Sequence, residues 1–143
     1  MFKATKLFVT ASILATVALV GQTAGAGKPE RDKIDEMTAK MADAKASIKG
    51  DCGCDVAITA KWDTYKDASA MGGVASVLSS LKTVAHSHCQ KPADKTAVCS
   101  GLTAVEVSFS GDKPSMVGKT LHAHNDNGTY NGVGDLGQVF DKF

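Results

Sequence analysis

The segment "CDVAITAKWDTY", residues 54–65, decides the fold because apolar and polar side chains alternate along it. Successive side chains of a strand point to opposite faces, so this alternation predicts a strand with one buried face. The buried face would consist of Val56, Ile58, Ala60 and Trp62. The exposed face would consist of Asp55, Ala57, Thr59, Lys61 and Asp63.

An amphipathic helix is predicted immediately before this strand, over residues 28–50. Its apolar residues are three or four positions apart and so form one stripe: Ile34, Met37, Met41, Ala44 and Ile48. Pro29 suits the first turn of a helix, and Gly50 is a natural helix end. We expect the stripe to pack on the domain. The alternative is a short coiled-coil arm for dimerisation, for which two heptads are few.

A second helix is predicted after the strand, over residues 69–88. Its apolar positions again have helical spacing: Val74, Val77, Leu78, Leu81, Val84 and Ala85. Two glycines, Gly72 and Gly73, stand near its start and indicate a loose helix start or close packing against the sheet. The stretch from residue 90 to residue 101 contains Pro92 and is predicted to be a loop.

Two more strands are predicted, over residues 102–110 and 115–124, with a turn at residues 111–114. In the first of them, Thr103, Val105, Val107 and Phe109 would share one face, opposite Leu102, Ala104, Glu106 and Ser108. In the second, Val117, Leu121 and Ala123 would lie opposite Met116, Gly118, Thr120, His122 and His124. A turn at Asn127 and Gly128 would lead to a short fourth strand over residues 129–133. The Gly-rich C-terminal segment after it is expected to be partly mobile.

These elements predict an α+β fold. We expect a two-layer sandwich in which two helices pack on one face of a small, mostly antiparallel sheet of three or four strands, stabilised by disulfides. The other face of the sheet would be polar and open to solvent or to a partner. Its candidate binding residues are Lys61, Asp63, Glu106, Thr120, His122 and His124.

Residues 1–26 have the pattern of a secretory signal peptide. Lys3 and Lys6 precede an apolar run over residues 7–21, and the segment ends in the small-residue pattern Ala24-Gly25-Ala26. We predict cleavage after Ala26, which leaves residues 27–143 as a single domain; the alternative is an uncleaved anchor. The whole chain has 16 basic and 15 acidic residues, so loss of the two lysines leaves 14 and 15, a net charge of −1. This balance argues against nucleic acid, and against an anionic membrane, as the partner.

The four cysteines, Cys52, Cys54, Cys89 and Cys99, all follow the predicted signal peptide. An even number of cysteines in an exported protein predicts two disulfides. We expect cross-pairing, in which Cys52 and Cys54 each join Cys89 or Cys99, with all four sulfurs at one end of the domain. The alternative is a strained bond between Cys52 and Cys54, which would be easily reduced and redox-active.

The histidines occur in two pairs, "HSH" at residues 86–88 and "HAH" at residues 122–124. The first pair lies on a predicted helix, where residues two apart point in different directions, so it indicates a helix end. His122 and His124 lie on a predicted strand and would project side by side. With the carboxylate of Glu106 on the neighbouring strand, they are candidate ligands for zinc or copper. The alternative is two solvated imidazoles.

From the sequence we expect a small exported binding module that recognises a protein or small ligand on its open sheet face. It would be located in the periplasm or secreted. Catalysis is not expected, because the chain carries no recognised nucleophile motif. Two other hypotheses are kept: a periplasmic metal-binding protein that uses His122 and His124, and a thiol-disulfide redox protein that uses Cys52 and Cys54.

Overall fold

A computed structural model of the protein describes residues 27–143. The predicted signal peptide, residues 1–26, lies outside the described residues. Five α-helices in the described part are α1 (Lys28–Cys52), α2 (Ala68–Met71), α3 (Val74–His88), α4 (Pro92–Gly101) and α5 (Val133–Phe140). The strands there are β1 (Ala57–Ala60), β2 (Ala104–Phe109), β3 (Ser115–Val117) and β4 (Thr120–Asn125). None of the helices within residues 27–143 combines the length and apolar character needed to cross a bilayer.

The α+β fold with helices on a small sheet is confirmed, but the sheet is not mostly antiparallel. Its strand order is β1-β2-β4-β3. The β1–β2 and β2–β4 pairs are parallel, and only β3 pairs antiparallel, with β4. Parallel neighbours need a long crossover, and α2, α3 and α4 provide it between β1 and β2. The sheet is therefore mixed and mainly parallel.

The predicted loop at residues 90–101 is mostly helix α4. Pro92 stands in its first turn, where the missing amide hydrogen of proline is tolerated. Val98 is the single fully buried side chain of α4, so the helix lacks the apolar stripe that would have indicated it. With α4 and α5, the number of helices exceeds the two that were predicted.

The first strand is shorter than predicted, and the first helix is longer. Strand β1 covers only Ala57–Ala60, and a 3-10 turn at Trp62–Thr64 follows it. Helix α1 continues past Gly50 to Cys52 and ends at Gly53, whose φ of 86° lies in the left-handed region that glycine adopts without strain.

The segment 115–124 is a hairpin and not a single strand. Gly118 has a φ of 61° and lies at the turn between β3 and β4. Met116 pairs with Leu121 and packs against the core, whereas Val117 pairs with Thr120 and is 65% exposed. The predicted faces of Met116 and Val117 were therefore wrong, because the turn interrupts the two-residue period.

The C-terminal segment is an ordered helix and not a fourth strand with a mobile end. The turn at residues 127–128 exists, but Tyr130 makes only one bridge, to Asn125. The chain then forms α5, whose residues Leu136, Val139 and Phe140 are buried in the core. The prediction of a fourth strand was wrong because only one residue after the turn, Tyr130, is paired.

The apolar stripe of α1 packs on the domain as predicted. Ile34 is partly buried, and four residues of the stripe are fully buried: Met37, Met41, Ala44 and Ile48. An ion pair between Lys82 of α3 and Asp43 of α1, 2.7 Å long, joins the two helices at the surface. The stripe faces the core of its own chain, so it is not free to form the alternative coiled-coil arm.

Two disulfides, Cys52–Cys89 and Cys54–Cys99, confirm the predicted cross-pairing. Cys52–Cys89 joins the end of α1 to the end of α3. Cys54–Cys99 joins the segment before β1 to helix α4. We call this end of the domain, where β1, β2 and β4 begin, the disulfide pole. A bond between Cys52 and Cys54, on which the redox hypothesis rested, is not formed.

Candidate functional site: the open sheet face and the carboxyl edge

One face of the sheet packs against helices, and the other is open. The buried strand residues Val105, Val107, Leu121 and Ala123 all belong to the apolar core. The residues that alternate with them are half-buried. Thr59, Glu106 and His122 occupy one row across β1, β2 and β4, because paired residues of neighbouring strands share a face. We call this surface the open sheet face.

The centre of the open sheet face is a charged group around Glu106. Its Oε1 atom lies 3.1 Å from Lys61 Nζ and 3.1 Å from His122 Nδ1. Lys61 directly follows β1, and its amide continues the ladder by donating to the Val107 carbonyl at 2.8 Å. One carboxylate thus contacts groups from both neighbouring strands, which fixes all three side chains relative to the sheet. We call these three residues the Lys61–Glu106–His122 group.

A second pair on the same face joins His124 to Ser108, with 2.9 Å between the imidazole Nδ1 and the hydroxyl. The backbone amide of His124 donates to Asn131 Oδ1 at 2.6 Å, and its carbonyl accepts from the Asn131 amide at 2.8 Å. Burial lowers the pKa of His124; Asp112 opposes this shift, and His122 reinforces it. His124 is therefore neutral at pH 7 and can accept a hydrogen bond there.

Four of the six predicted binding residues lie on strands, as predicted, and a fifth directly follows one. Glu106, Thr120, His122 and His124 are on strands of the open sheet face, and Lys61 adjoins it. The sixth, Asp63, lies in the 3-10 turn after β1 and not on a strand, because β1 ends at Ala60.

The three candidate metal ligands share the open sheet face but have separate partners. His122 contacts Glu106, whereas His124 contacts Ser108. Across residues 27–143, no group of three or more His, Cys, Asp or Glu side chains is placed to hold a metal ion. A metal bound by His122, His124 and Glu106 would have to draw His124 away from Ser108. The zinc or copper hypothesis stays a prediction.

The other two histidines lie at the end of α3 and point in different directions, as predicted. His86 Nδ1 lies 3.1 Å from Asp51 Oδ1 of α1. His88 Nδ1 lies 3.0 Å from the Val84 carbonyl, and its Nε2 lies 2.9 Å from Asp141 Oδ1. These contacts tie α3 to α1 on one side and to the end of α5 on the other.

The sequence did not indicate a second surface, at the carboxyl ends of the parallel strands. Strands β1, β2 and β4 all end at the same edge of the sheet, opposite the disulfide pole. In open sheets with parallel strands, ligands bind at this edge. We call it the carboxyl edge. Recognising it required the strand directions, and an alternating pattern does not distinguish parallel from antiparallel pairing.

Two pockets lie at the carboxyl edge, on either side of the loop that follows β4. The larger has a volume of about 520 Å³ and lies against α2 and the start of α3. The smaller, of about 200 Å³, includes His124 and the loop that follows β2. Thr129 and Tyr130 line both, so this loop forms the ridge between them.

The ridge is anchored by Asn125, the last residue of β4. Its Oδ1 accepts from the Tyr65 hydroxyl at 2.7 Å, and its Nδ2 donates to the Ala70 carbonyl at 3.2 Å. Burial raises the pKa of Tyr65, which keeps its hydroxyl protonated as the donor. Gly73 lies against the same amide: a Cβ there would come within 2.2 Å of Asn125 Nδ2. The second glycine of the Gly-Gly pair therefore allows close packing of α3 against the sheet.

The chain matches no protein-family model, and searches of curated proteins and of solved structures found no match either.

Proposed function

We propose that the protein is an exported, non-catalytic binding module that recognises a protein or ligand through its open sheet face. The observation that carries this proposal is the Lys61–Glu106–His122 group. It presents a carboxylate and an imidazole from paired positions of β2 and β4, next to a positive charge from the residue that follows β1. Surface charges held in a fixed arrangement favour specific recognition, because a partner must match them in position as well as in sign.

The half-buried state of this group also supports a binding role. The side chains of Glu106 and His122 are 25% and 28% exposed, so they remain accessible although they contact each other on the sheet. An ion pair in this position is less screened by salt than one between freely solvated side chains. A partner that covers the face would strengthen these interactions further by excluding water.

Export is supported by the signal-peptide pattern and by the disulfides. Disulfides form and persist in oxidising compartments, and Cys52, Cys54, Cys89 and Cys99 are all paired. They hold α1, α3 and α4 at one end of the domain and so keep the helical layer fixed behind the sheet. A rigid frame lowers the entropy lost on binding.

The experiment is a quantitative capture from the periplasm or medium of the source organism, using immobilised protein. Lys61→Glu and His122→Ala alter the open sheet face without touching the core. Lys40→Glu on α1 is the matched control for the first: Lys40 is 48% exposed against 51% for Lys61, and it too pairs with a glutamate. His86→Ala is the control for the second, because His86 is also 3.1 Å from a carboxylate.

We expect one captured component to be lost with both open-face variants and kept with both controls. Its identity can then be established by mass spectrometry and its affinity measured with the purified component. Equal capture by all five proteins, or equal loss with Lys40→Glu and His86→Ala, would contradict recognition through the open sheet face.

A further inference from the structure

We propose that the larger pocket at the carboxyl edge binds a neutral, hydroxyl-rich ligand of the saccharide class. This site is separate from the open sheet face, and the inference does not depend on the function proposed above. The pocket lies between the loop after β4 and the segment containing α2 and the start of α3.

The size and composition of the pocket favour a small hydrophilic ligand. Its volume of about 520 Å³ is within the range of roughly 300–1,000 Å³ found for small-molecule sites. Such sites are usually lined by apolar side chains with a few polar groups. Here the proportion is reversed, since Ala70 is the one aliphatic side chain among the lining residues and Tyr130 the one aromatic ring. A ligand that carries its own polar groups all round fits this lining better than an apolar molecule.

Several polar side chains of the pocket have no partner within residues 27–143 and so remain available to a ligand. They are those of Lys66, Ser69, Ser76, Asn127 and Tyr130. They include donors such as the Lys66 ammonium, acceptors such as the Asn127 carbonyl oxygen, and hydroxyls that do both. A sugar hydroxyl also donates and accepts, so it can use both kinds of group at once.

Two carboxylates in the pocket each have one oxygen in use and one unengaged. Asp67 Oδ1 accepts from the Ala70 amide at 2.8 Å, and Asp126 Oδ1 accepts from the Thr129 amide at 3.0 Å. These bonds fix both carboxylates in place. Their Oδ2 atoms have no hydrogen-bond donor within residues 27–143 and can accept from ligand hydroxyls. Hydrogen bonds to ionised carboxylates are stronger than those between neutral groups.

The charges of the pocket argue for a neutral ligand. Asp67 and Asp126 would repel an anion, and Lys66 would repel a cation. The three groups sum to a net charge of −1, so an anion is disfavoured and a cation is attracted only weakly. A neutral polyol avoids the cost of removing a net charge from water and still forms charge-assisted hydrogen bonds.

Tyr130 provides the apolar surface on which a sugar ring can lie. It is 50% exposed and is one of only three large hydrophobic residues exposed in the described chain. It lines both pockets at the carboxyl edge. The face of an aromatic ring offers rigid contact area to the C–H groups of a sugar, while its hydroxyl remains in water or bonds to the ligand.

The experiment is an NMR titration of the ¹⁵N-labelled protein without its predicted signal peptide, using maltotriose, cellotriose and chitotriose in separate series. Triglycine serves as a hydrophilic probe without sugar hydroxyls. Each is added to concentrations on the order of 10 mM, which is enough to detect a dissociation constant of about 1 mM. We expect at least one saccharide to shift the amide signals of residues 66–76 and 126–130 in a saturable manner.

Variants locate the binding in the pocket. Tyr130→Ala should weaken binding roughly three- to tenfold, the range expected when an aromatic contact is lost, and Tyr130→Phe should keep most of it. Val133→Ala is the matched control, because Val133 is 48% exposed, close to the value for Tyr130, and does not line the pocket. Its affinity should equal that of the wild type.

The proposal is overturned if none of the three saccharides shifts these signals, or if the shifts lie elsewhere on the protein. A response to triglycine without a response to any saccharide would overturn it as well. So would equal affinities of the wild type and Tyr130→Ala, provided that circular dichroism shows the variant to be folded.

Discussion

The side-chain amide of Asn125 accepts a hydrogen bond from the Tyr65 hydroxyl at 2.7 Å, across 60 positions of sequence. Both residues are buried, at 1% and 7% exposure. The bond joins the end of β4 to the turn after β1. A second hydrogen bond, from the same amide to the Ala70 carbonyl, joins the end of β4 to α2. Asn125 therefore holds together the three segments that form the carboxyl edge.

The first prediction concerns the space beside this amide. Gly73→Ala should destabilise the protein by about 1–3 kcal/mol, because the new Cβ would lie 2.2 Å from Asn125 Nδ2 and force the amide to move. Gly50→Ala is the control: Gly50 lies within α1 with no neighbouring atom within 4 Å of a new Cβ. That change should stabilise by about 0.5–1 kcal/mol, since alanine is the better helix former. Urea unfolding measures both, and a neutral Gly73→Ala variant would contradict the close packing.

The second prediction concerns the stripe of α1. Met41→Asp should lower the free energy of unfolding by about 3 kcal/mol, because it places an unpaired charge in the core. Ala42→Asp, one residue further on the exposed side of the helix, should cost no more than about 0.7 kcal/mol. A Met41→Asp protein of unchanged stability that had lost only self-association, as measured by light scattering, would favour the coiled-coil arm.

The third prediction concerns the disulfides. They close loops of 37 and 45 residues, so each should contribute about 4 kcal/mol in the chain-entropy model. Cys52 and Cys89 are both 3% exposed, whereas Cys54 and Cys99 are only partly buried. A limited amount of dithiothreitol should therefore reduce Cys54–Cys99 first, because thiol attack requires access to sulfur.

Alkylation of the released thiols, followed by peptide mapping without further reduction, identifies which disulfide opened. Release of Cys52 and Cys89 before the other two would contradict the order. A peptide that links Cys52 to Cys54 in the untreated protein would contradict the pairing itself and revive the redox hypothesis.

The fourth prediction tests the metal hypothesis. If His122 and His124 bind zinc or copper, added metal should raise the melting temperature of the wild type. The double variant His122→Ala with His124→Ala should lose this effect, and His86→Ala should retain it. Absence of stabilisation in the wild type, together with absence of metal by elemental analysis, would reject the hypothesis.

The fifth prediction concerns pH. Because burial lowers the pKa of His124 below its ordinary value of 6.5, the unfolded chain binds a proton at this residue more readily than the folded chain. The contribution of His124 to the free energy of unfolding should be complete above pH 6.5. It should decline as the pH falls from 6.5 through the lowered pKa of the folded state.

The His124→Gln variant tests this sign. The difference in unfolding free energy between the wild type and His124→Gln, measured by urea unfolding at several pH values, should change in that window and become constant at lower pH. His86→Gln controls for an exposed histidine. A difference that moves in the opposite direction would show that the folded state favours the charged imidazole.

The helices and strands with a clear apolar period were predictable from the sequence. The predicted stripes of α1 and α3 were correct because each helix buries one face. The faces of β2 were correct where Val105 and Val107 alternate with half-buried residues, but Leu102, assigned to the open face, precedes the strand and lies in the core. The cross-pairing of the cysteines followed from the same elements. It used the return of α3 to the start of β1 and the position of Cys99 just before β2.

The alternating patterns alone did not give the direction of the strands, because alternation is the same in parallel and antiparallel pairs. Helix α4 was missed because Pro92 and a single buried residue, Val98, gave the pattern of a loop. The carboxyl edge and its pockets were missed because the sheet was expected to be mostly antiparallel, although His122, His124 and Glu106 on the open sheet face were found. Those three needed only the two-residue period of their own strands.

The positions of the two disulfides have a consequence for how this domain can vary. Covalent bonds fix the end where the parallel strands begin, and the pockets lie at the opposite end. The turns at residues 111–114 and 126–129 can change in length or composition without disturbing a cysteine. The same framework can therefore serve as a template for grafted loops, in evolution or in the laboratory, provided that Tyr65, Gly73 and Asn125 are kept.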